Sequence, residues 1–258
     1  MKIAIICSKS DEASINIHSF LKDMIKPNIG KHRVYLRLLE KESVFLEDID
    51  KEINCDFIIF PTKHQSKSGV HSLSTHVQGN WNKAMLGGKD NELGIAPSCW
   101  LKQALKLLEN KAEELHYEAI QECTHHGPYL EVPSMFVEIG SSIEEWRNPE
   151  AGRLIAETIV ELLEMDIPEY KSSVGIGGLH HTPNFKKIAL NSDVAVGHVC
   201  PKYMLEFLDK EMLLQAMDRC IPKSELVIVD WKGLGEYKEK IKKLLESIGV
   251  EWKKTKEF

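Results

Sequence analysis

No stretch of this 258-residue sequence approaches the ~18–20 consecutive apolar residues of a membrane-spanning helix, so no such helix is expected. The opening Met1-Lys2-Ile3-Ala4-Ile5-Ile6-Cys7 turns polar at Ser8-Lys9-Ser10-Asp11-Glu12. It is too short for a signal-peptide core and lacks a small-residue cleavage site. That segment reads as a buried first strand, and a cytoplasmic protein is expected. Paired cysteines are missing too. Cys7, Cys55, Cys99, Cys123, Cys200 and Cys220 are scattered without a CxxC, several inside apolar runs, and read as small core residues rather than disulfides. Positive charge is in short supply: 33 Lys and Arg face 39 Asp and Glu, a net charge of −6. The chain as a whole is therefore no basic nucleic-acid binder, and any RNA contact falls to a local patch. HExxH, GxxxxGK[ST], a complete GxGxxG, internal repeats and low-complexity linkers are all absent, which leaves a nucleotide-loop reading weak.

What is present is an alternation of short β-branched runs and amphipathic segments, the mark of a mainly parallel α/β sheet flanked by helices. Strands are expected at Lys2–Cys7, Val34–Leu39, Asp56–Phe60, Tyr117–Cys123, Ser134–Ile139, Ser173–Ile176, Val194–Val199 and Leu226–Val229, with Val250–Lys254 at an edge. Helices are expected over Glu12–Ile25, from Pro97-Ser98 to Glu114, from Asn148-Pro149 to Met165, over Asp209–Met217 and over Glu236–Ile248. The expected architecture is one α/β hydrolase domain over 1–258, or two lobes with a boundary within 62–97. The polar stretch Thr62–Asn91 has neither period and is long for a connection, which makes it functional or disordered. Its Trp81 and its histidines favour function.

Eight of the eleven histidines fall in four places: His64, His71 and His76; His125 and His126; His180 and His181; and His198. Most follow expected strands, and in open parallel sheets the carboxyl ends of the strands form one ligand crevice, where these groups are expected to converge. Neutral imidazole is the commonest zinc ligand, and Glu122, Glu131, Glu138 and Asp193 lie near enough in sequence to complete or orient a site. A metal held by three protein groups keeps a place for water and lowers its pKa to about 7. Without a metal, the same imidazoles serve general acid–base catalysis. Both readings stand, because the spacing decides neither.

Chemistry assigns His125, His181 and Glu122 to catalysis, and His64, His126, His180, His198 and Glu138 to metal. Each has a plainer reading. The two HH pairs could be turn residues bonded to backbone, although their Gly and Pro flanks favour function. His198 could be a satisfied core histidine. Gly177 and Gly178 form a turn that presents His180 and His181, with amides to hold an oxyanion, or else simply end a strand. Lys63, Lys67 and Lys83 in the long loop, with Lys186 and Lys187, are the candidates for phosphate contacts. The C-terminal lysines have glutamate neighbours and read mostly as a solvated face.

Several stretches resemble signatures of the archaeal and plant type of D-aminoacyl-tRNA deacylase. They are Thr62-Lys63-His64-Gln65-Ser66 with Leu73-Ser74-Thr75-His76-Val77-Gln78-Gly79-Asn80-Trp81, then Glu122-Cys123-Thr124-His125-His126-Gly127-Pro128, and Gly175 through Phe185. The resemblance runs from Lys2 to about Leu245. It implies hydrolysis of the ester between a D-amino acid and the 3′ end of tRNA, with two zinc ions (Zn2+) per subunit. It also implies a fold related to peptidyl-tRNA hydrolases and nucleoside phosphorylases. The expected partner is tRNA, with no membrane and a monomeric or weakly oligomeric chain. The alternatives are a metal-dependent hydrolase or phosphorylase of a small molecule, and a tRNA-binding protein without catalysis.

Overall fold

The computed structural model describes every residue except Ser68. Its first half runs β1 (Lys2–Ser8), α1 (Glu12–Met24), β2 (Asn28–Ile29), β3 (His32–Leu39), α2 (Ile49–Glu52), β4 (Phe57–Gln65), β5 (Ser72–His76), β6 (Ala96–Pro97), α3 (Ser98–Leu115), β7 (Glu118–Gln121) and β8 (Ser134–Ser141). The second half runs α4 (Ile143–Trp146), α5 (Pro149–Glu164), β9 (Lys171–Ile176), α6 (Pro183–Asn191), β10 (Val194–Cys200), α7 (Lys210–Asp218), β11 (Cys220–Ile221), β12 (Leu226–Val229), α8 (Lys238–Ile248) and β13 (Glu251–Lys254).

The larger sheet has the order β2-β3-β1-β4-β8-β5-β7. Strands β3, β1, β4 and β8 are parallel, β2 and β5 oppose their neighbours β3 and β8, and β7 runs with β5. The smaller sheet, β10-β9-β12-β13, is parallel throughout. This is the expected mainly parallel, mixed α/β arrangement. Among the described residues no helix is long and apolar enough to cross a membrane.

Local chemistry sets the helix starts. Asp11 caps α1 by accepting from the Ser14 amide at 2.9 Å, and its second oxygen accepts from the Lys63 amide at 3.0 Å. One buried carboxylate thus joins the start of α1 to the end of β4, one residue before His64. Asn148 caps α5, with Pro149 in the first turn as the sequence suggests.

Helix α3 packs on β5 and β7 of the larger sheet and on β10 of the smaller one. A single apolar cluster includes Ile3 and Ile5 of β1, Leu105 of α3 and Val227 of β12. Lys102 of α3 is 2% exposed. Its ammonium donates to the carbonyls of Ser192 and of Val194, the latter at 2.9 Å, and burial pushes its pKa down to about 8.

The structure departs from expectation most within Thr62–Asn91. Strand β4 continues past Phe60 to Gln65, and Ser72–His76 forms an inner strand between β8 and β7. The hydropathy pattern hides β5 because only Leu73 is apolar. Thr75 donates its hydroxyl to the Phe136 carbonyl, and Ser72, Ser74 and His76 occupy the alternate face. Helix α6 was also not expected. Beyond Glu122, whose amide still donates to Thr75 O of β5 at 3.1 Å, the chain leaves the ladder: Cys123 donates to His180 O at 2.8 Å and Thr124 to Val199 O at 3.0 Å.

Replacing Lys102 with Ala leaves two carbonyls without their donor. It is expected to cost about 2–6 kcal/mol, at about 1–3 for each lost partner. Urea unfolding checks this, and a loss below about 0.5 kcal/mol would show that the ammonium does not tie α3 to the smaller sheet.

Candidate active site

The register of β4, β8 and β5 builds the floor of the site. Phe60, Phe136 and His76 lie in one row, Thr62, Glu138 and Ser74 in the next, and His64, Gly140 and Ser72 in a third. Strand side chains alternate faces with period two, so all three rows share one face. Glycine is required in the third row. A Cβ on Gly140 would come within 2.7 Å of both the His64 ring and Ser72 Oγ. Above this floor stand Glu122, Cys123, His125 and His126 from the segment after β7, and His180 and His181 from the turn after β9.

Three imidazoles meet at one end. His76 and His125 have ring centroids 4.3 Å apart, as do His125 and His126, with His76 and His126 at 4.9 Å. The backbone of His126 is left-handed, with φ +48°, and both members of the pair turn toward His76. Each ring has its Nδ1 on a backbone carbonyl: His76 on Val77 O at 3.2 Å, His125 on Cys123 O at 2.8 Å and His126 on Gly127 O at 2.6 Å. A carbonyl accepts only, so the proton sits on Nδ1 and the Nε2 lone pair is left over in all three rings. Burial and crowding by the neighbouring imidazoles push His125 and His126 far below the ordinary imidazole range, His126 to about 3. They are neutral, which is the ligating form.

A second group surrounds Glu122, which is buried. Its Oε2 lies 2.9 Å from His64 Nδ1, 3.0 Å from His180 Nε2 and 3.8 Å from His125 Nε2, while its Oε1 has no partner. Burial opposes its ionisation, but hydrogen bonds from His180 and His64 outweigh that and hold it well below the usual carboxylate range. Glu138 accepts from the Thr62 hydroxyl at 2.7 Å and sits 3.5 Å from His76 Nε2. His180 Nδ1 meets the Tyr203 hydroxyl at 3.1 Å and Cys123 Sγ at 3.4 Å. His181 reaches His64, Nε2 to Nε2, at 3.4 Å.

This charge arrangement calls for a cation. His76 Nε2 is buried and unpartnered, with its lone pair facing Glu138. That contact is repulsive unless a second proton or a metal ion intervenes. Burial works against charge at His64, His76 and His180, yet the carboxylates of Glu122 and Glu138, with Cys123 beside His180, hold all three rings above the ordinary range. Among the described residues four sets bring ligand atoms within 4.8 Å of one another: His76, His125 and His126; Cys123, His125 and His180; His64, Glu122 and His180; and His76, Glu122 and Glu138. The residues fit a metal.

Other residues singled out in the sequence lie elsewhere. His198 is buried among its own partners, with Nε2 on Gly94 O at 3.0 Å and Nδ1 on the Thr124 hydroxyl at 3.1 Å, and it belongs to none of the four sets. The Gly177 amide is engaged by Cys200 O at 2.8 Å, and both Gly177 and Gly178 pack against Asp230 rather than the histidines. Glu131 pairs with Arg219, and His71 with Glu145. Three of the lysines have carboxylate partners: Lys63 with Glu42, Lys83 with Asp90 and Lys186 with Glu109. Lys67 is exposed, and Lys187 lines a separate hollow.

Residues 51–253 match the sequence model of the D-aminoacyl-tRNA deacylase family. A D-aminoacyl-tRNA deacylase of Pyrococcus abyssi is 40% identical over 98% of this chain and 99% of its own. The chain belongs to the D-aminoacyl-tRNA deacylase family. Family proteins of Thermococcus kodakarensis, 39% identical over 98% of this chain and 99% of theirs, and of Methanosarcina barkeri, 33% identical over 100% and 90%, carry the same name. A solved structure titled as a conserved protein of unknown function, AF0625, superposes with a TM-score of 0.88. It is 30% identical and covers 100% of this chain and 96% of its own.

Within this family member, sequence reasoning placed His76 among the converging histidine groups without assigning it to catalysis or metal, and gave no role to Cys123 or Tyr203. The alternation Ser72, Ser74, His76 was the available signal for the first. Cys123 adjoins Glu122 but reads as core, and nothing marks Tyr203 beyond its place after β10. His198→Gln is expected to cost about 1–3 kcal/mol of stability and to leave divalent-ion content unchanged. His126→Ala is expected to remain folded and to bind added zinc more weakly. Denaturation curves and zinc titration of the purified variants check both, and a His198 variant with weakened zinc uptake would bring that ring back into the centre.

Proposed function

We propose that this chain hydrolyses the ester bond of D-aminoacyl-tRNA, releasing tRNA and a D-amino acid, at the histidine–glutamate cluster on β4, β5 and β8. The observation that carries this reading is near-full-length similarity to D-aminoacyl-tRNA deacylases. The cluster supports it, because ester hydrolysis needs an activated water, a stabiliser for the developing oxyanion and a proton for the leaving oxygen. The mixed α/β frame agrees with a fold akin to peptidyl-tRNA hydrolases and nucleoside phosphorylases. A tRNA substrate agrees with a cytoplasmic site of action.

In this reading His76, His125 and His126 would hold one zinc ion, and His64, Glu122 and His180 a second. Zinc bound there supplies Lewis acidity at the ester carbonyl and lowers the pKa of water. The chain's own groups do the rest. Glu122 takes a proton from the attacking water on its unpartnered Oε1, while its other oxygen is held by His64 and His180 or, were zinc seated among the three, by that ion. As the bond from carbonyl carbon to ribose oxygen breaks, that oxygen receives a proton from His181. Among the described residues this ring lies outside the metal-capable sets, and its Nε2 is 3.4 Å from His64 Nε2, close enough for a proton to be shared between the two. Selection of the D form rests on exclusion, the L side chain meeting protein where the D side chain has room.

The test is hydrolysis of matched D- and L-tyrosyl-tRNA, with and without a strong chelator. Release from the D substrate alone is expected, lost on chelation and restored by zinc. Glu122→Gln is expected to lower kcat by about 10²–10⁴-fold. If zinc-loaded protein released tyrosine from neither substrate, the reading would fail and a small-molecule hydrolase would replace it.

A further inference from the structure

The smaller sheet has a ligand crevice of its own. Its four strands are parallel, so their carboxyl ends lie along one edge, the usual place for ligands in open α/β sheets. Along that edge run the segments after β9, β10, β12 and β13. Helix α6 and the segments after β12 and β13 line a hollow of about 540 Å³, which shares Asn184, Asp230 and Lys232 with an adjoining one of about 260 Å³ at the turns after β9 and β10. The histidine cluster occupies neither. The two are linked through the turn after β9: Gly178, Leu179 and Thr182 line the smaller hollow, while His180 and His181 of the same turn enter the cluster. Leu179, 70% exposed, sits between them.

The lining is basic in a chain whose net charge is negative. Lys187, Lys202, Lys232, Lys254 and Lys256 border the two hollows. Among the described residues none of the five pairs with a carboxylate, unlike Lys63, Lys83 and Lys186. Lys202 is fixed by its amide on Gly178 O at 3.0 Å, and Lys254 holds its ammonium 4.7 Å above the Trp231 ring. The acidic member, Asp230, accepts from Asn184 Nδ2 at 3.0 Å and from the Gly233 amide at 3.1 Å. Each oxygen retains a lone pair for a hydroxyl, and a carboxylate at a strand end is suited to a ribose 2′-OH.

Resting on the deacylase reading, we propose that this groove carries the acceptor end of the tRNA as it leaves the active site. The lysines take backbone phosphates, Asp230 takes a ribose hydroxyl, and the strand crosses Leu179 to present its 3′ ester to the histidines. Phosphate contacts of this kind position an RNA without reading its sequence, as suits an enzyme that must accept many tRNAs.

The test compares the full chain with Lys187→Glu/Lys232→Glu/Lys256→Glu, and with the same three positions changed to Gln in case charge reversal disturbs folding. Two substrates separate this inference from the reading beneath it. Uncharged tRNA reports the groove, and the 3′-O-D-tyrosyl ester of adenosine reports the active site. Both variants are expected to bind uncharged tRNA about tenfold or more weakly, and to flatten the slope of log affinity against log salt by roughly 2–3. They are expected to hydrolyse the adenosine ester at the wild-type rate. Unchanged tRNA affinity and salt slope, or tight capture of a free mononucleotide without effect on tRNA, would overturn the groove and leave the deacylase standing. Weakened tRNA binding in the variants, with no hydrolysis of the ester by wild type, would keep the groove and remove the deacylase.

Discussion

Three backbone carbonyls decide which nitrogen each of three imidazoles turns inward. Val77, Cys123 and Gly127 each receive an Nδ1 proton, so the Nε2 lone pairs of His76, His125 and His126 are left facing a common space. The rest of the local structure serves that arrangement. The left-handed backbone at His126 lets two consecutive rings share a side, and Phe136 stacks on His76 at 5.0 Å with an interplanar angle of 10°. Close approach of the supporting loop requires glycine at 127, where a Cβ would overlap the backbone of Gly87, Gly88 and Val44. Carbonyl-anchored imidazoles are preorganised, so little reorganisation remains to be done when a cation binds.

Two sheets divide the labour. The face of the larger sheet supplies the buried, charge-dense cluster, where Glu122 and Glu138 face ring nitrogens of His64, His76, His125 and His180. The carboxyl edge of the smaller sheet supplies an open, basic groove. The turn after β9 belongs to both, because its glycines pack against Asp230 while its histidines reach across to β4. Helix α3 holds the two sheets in register, with the Lys102 ammonium on carbonyls at the start of β10.

Much of this was legible in the sequence, and what was not has physical causes. Strands with apolar runs, such as Leu226–Val229, and helices with a marked cap, such as that after Asn148, announce themselves through hydropathy and turn chemistry. Strand β5 does not, because a strand that lines a polar site on one face shows no apolar alternation. The histidine pairs were readable as site residues from their Gly and Pro flanks, and both members of each pair reach the cluster. His198 shows the limit: an imidazole in an apolar run looks the same whether it binds a metal or satisfies its neighbours, and here Gly94 and Thr124 satisfy it. Glycines 177 and 178 were legible as a tight turn but not in their direction. Lysines carry the weakest signal, since only the fold separates the ion-paired Lys63, Lys83 and Lys186 from the unpaired ones along the groove.

Everything at the site turns on whether the carbonyl-anchored rings of His76, His125 and His126 act as a ready-made cation site. Anomalous diffraction recorded on either side of the zinc absorption edge, from crystals grown with zinc, tests it most directly. An anomalous peak enclosed by these three rings is expected, with each Nδ1 still on its carbonyl. Active, zinc-loaded protein whose anomalous density lay away from all three rings would contradict it.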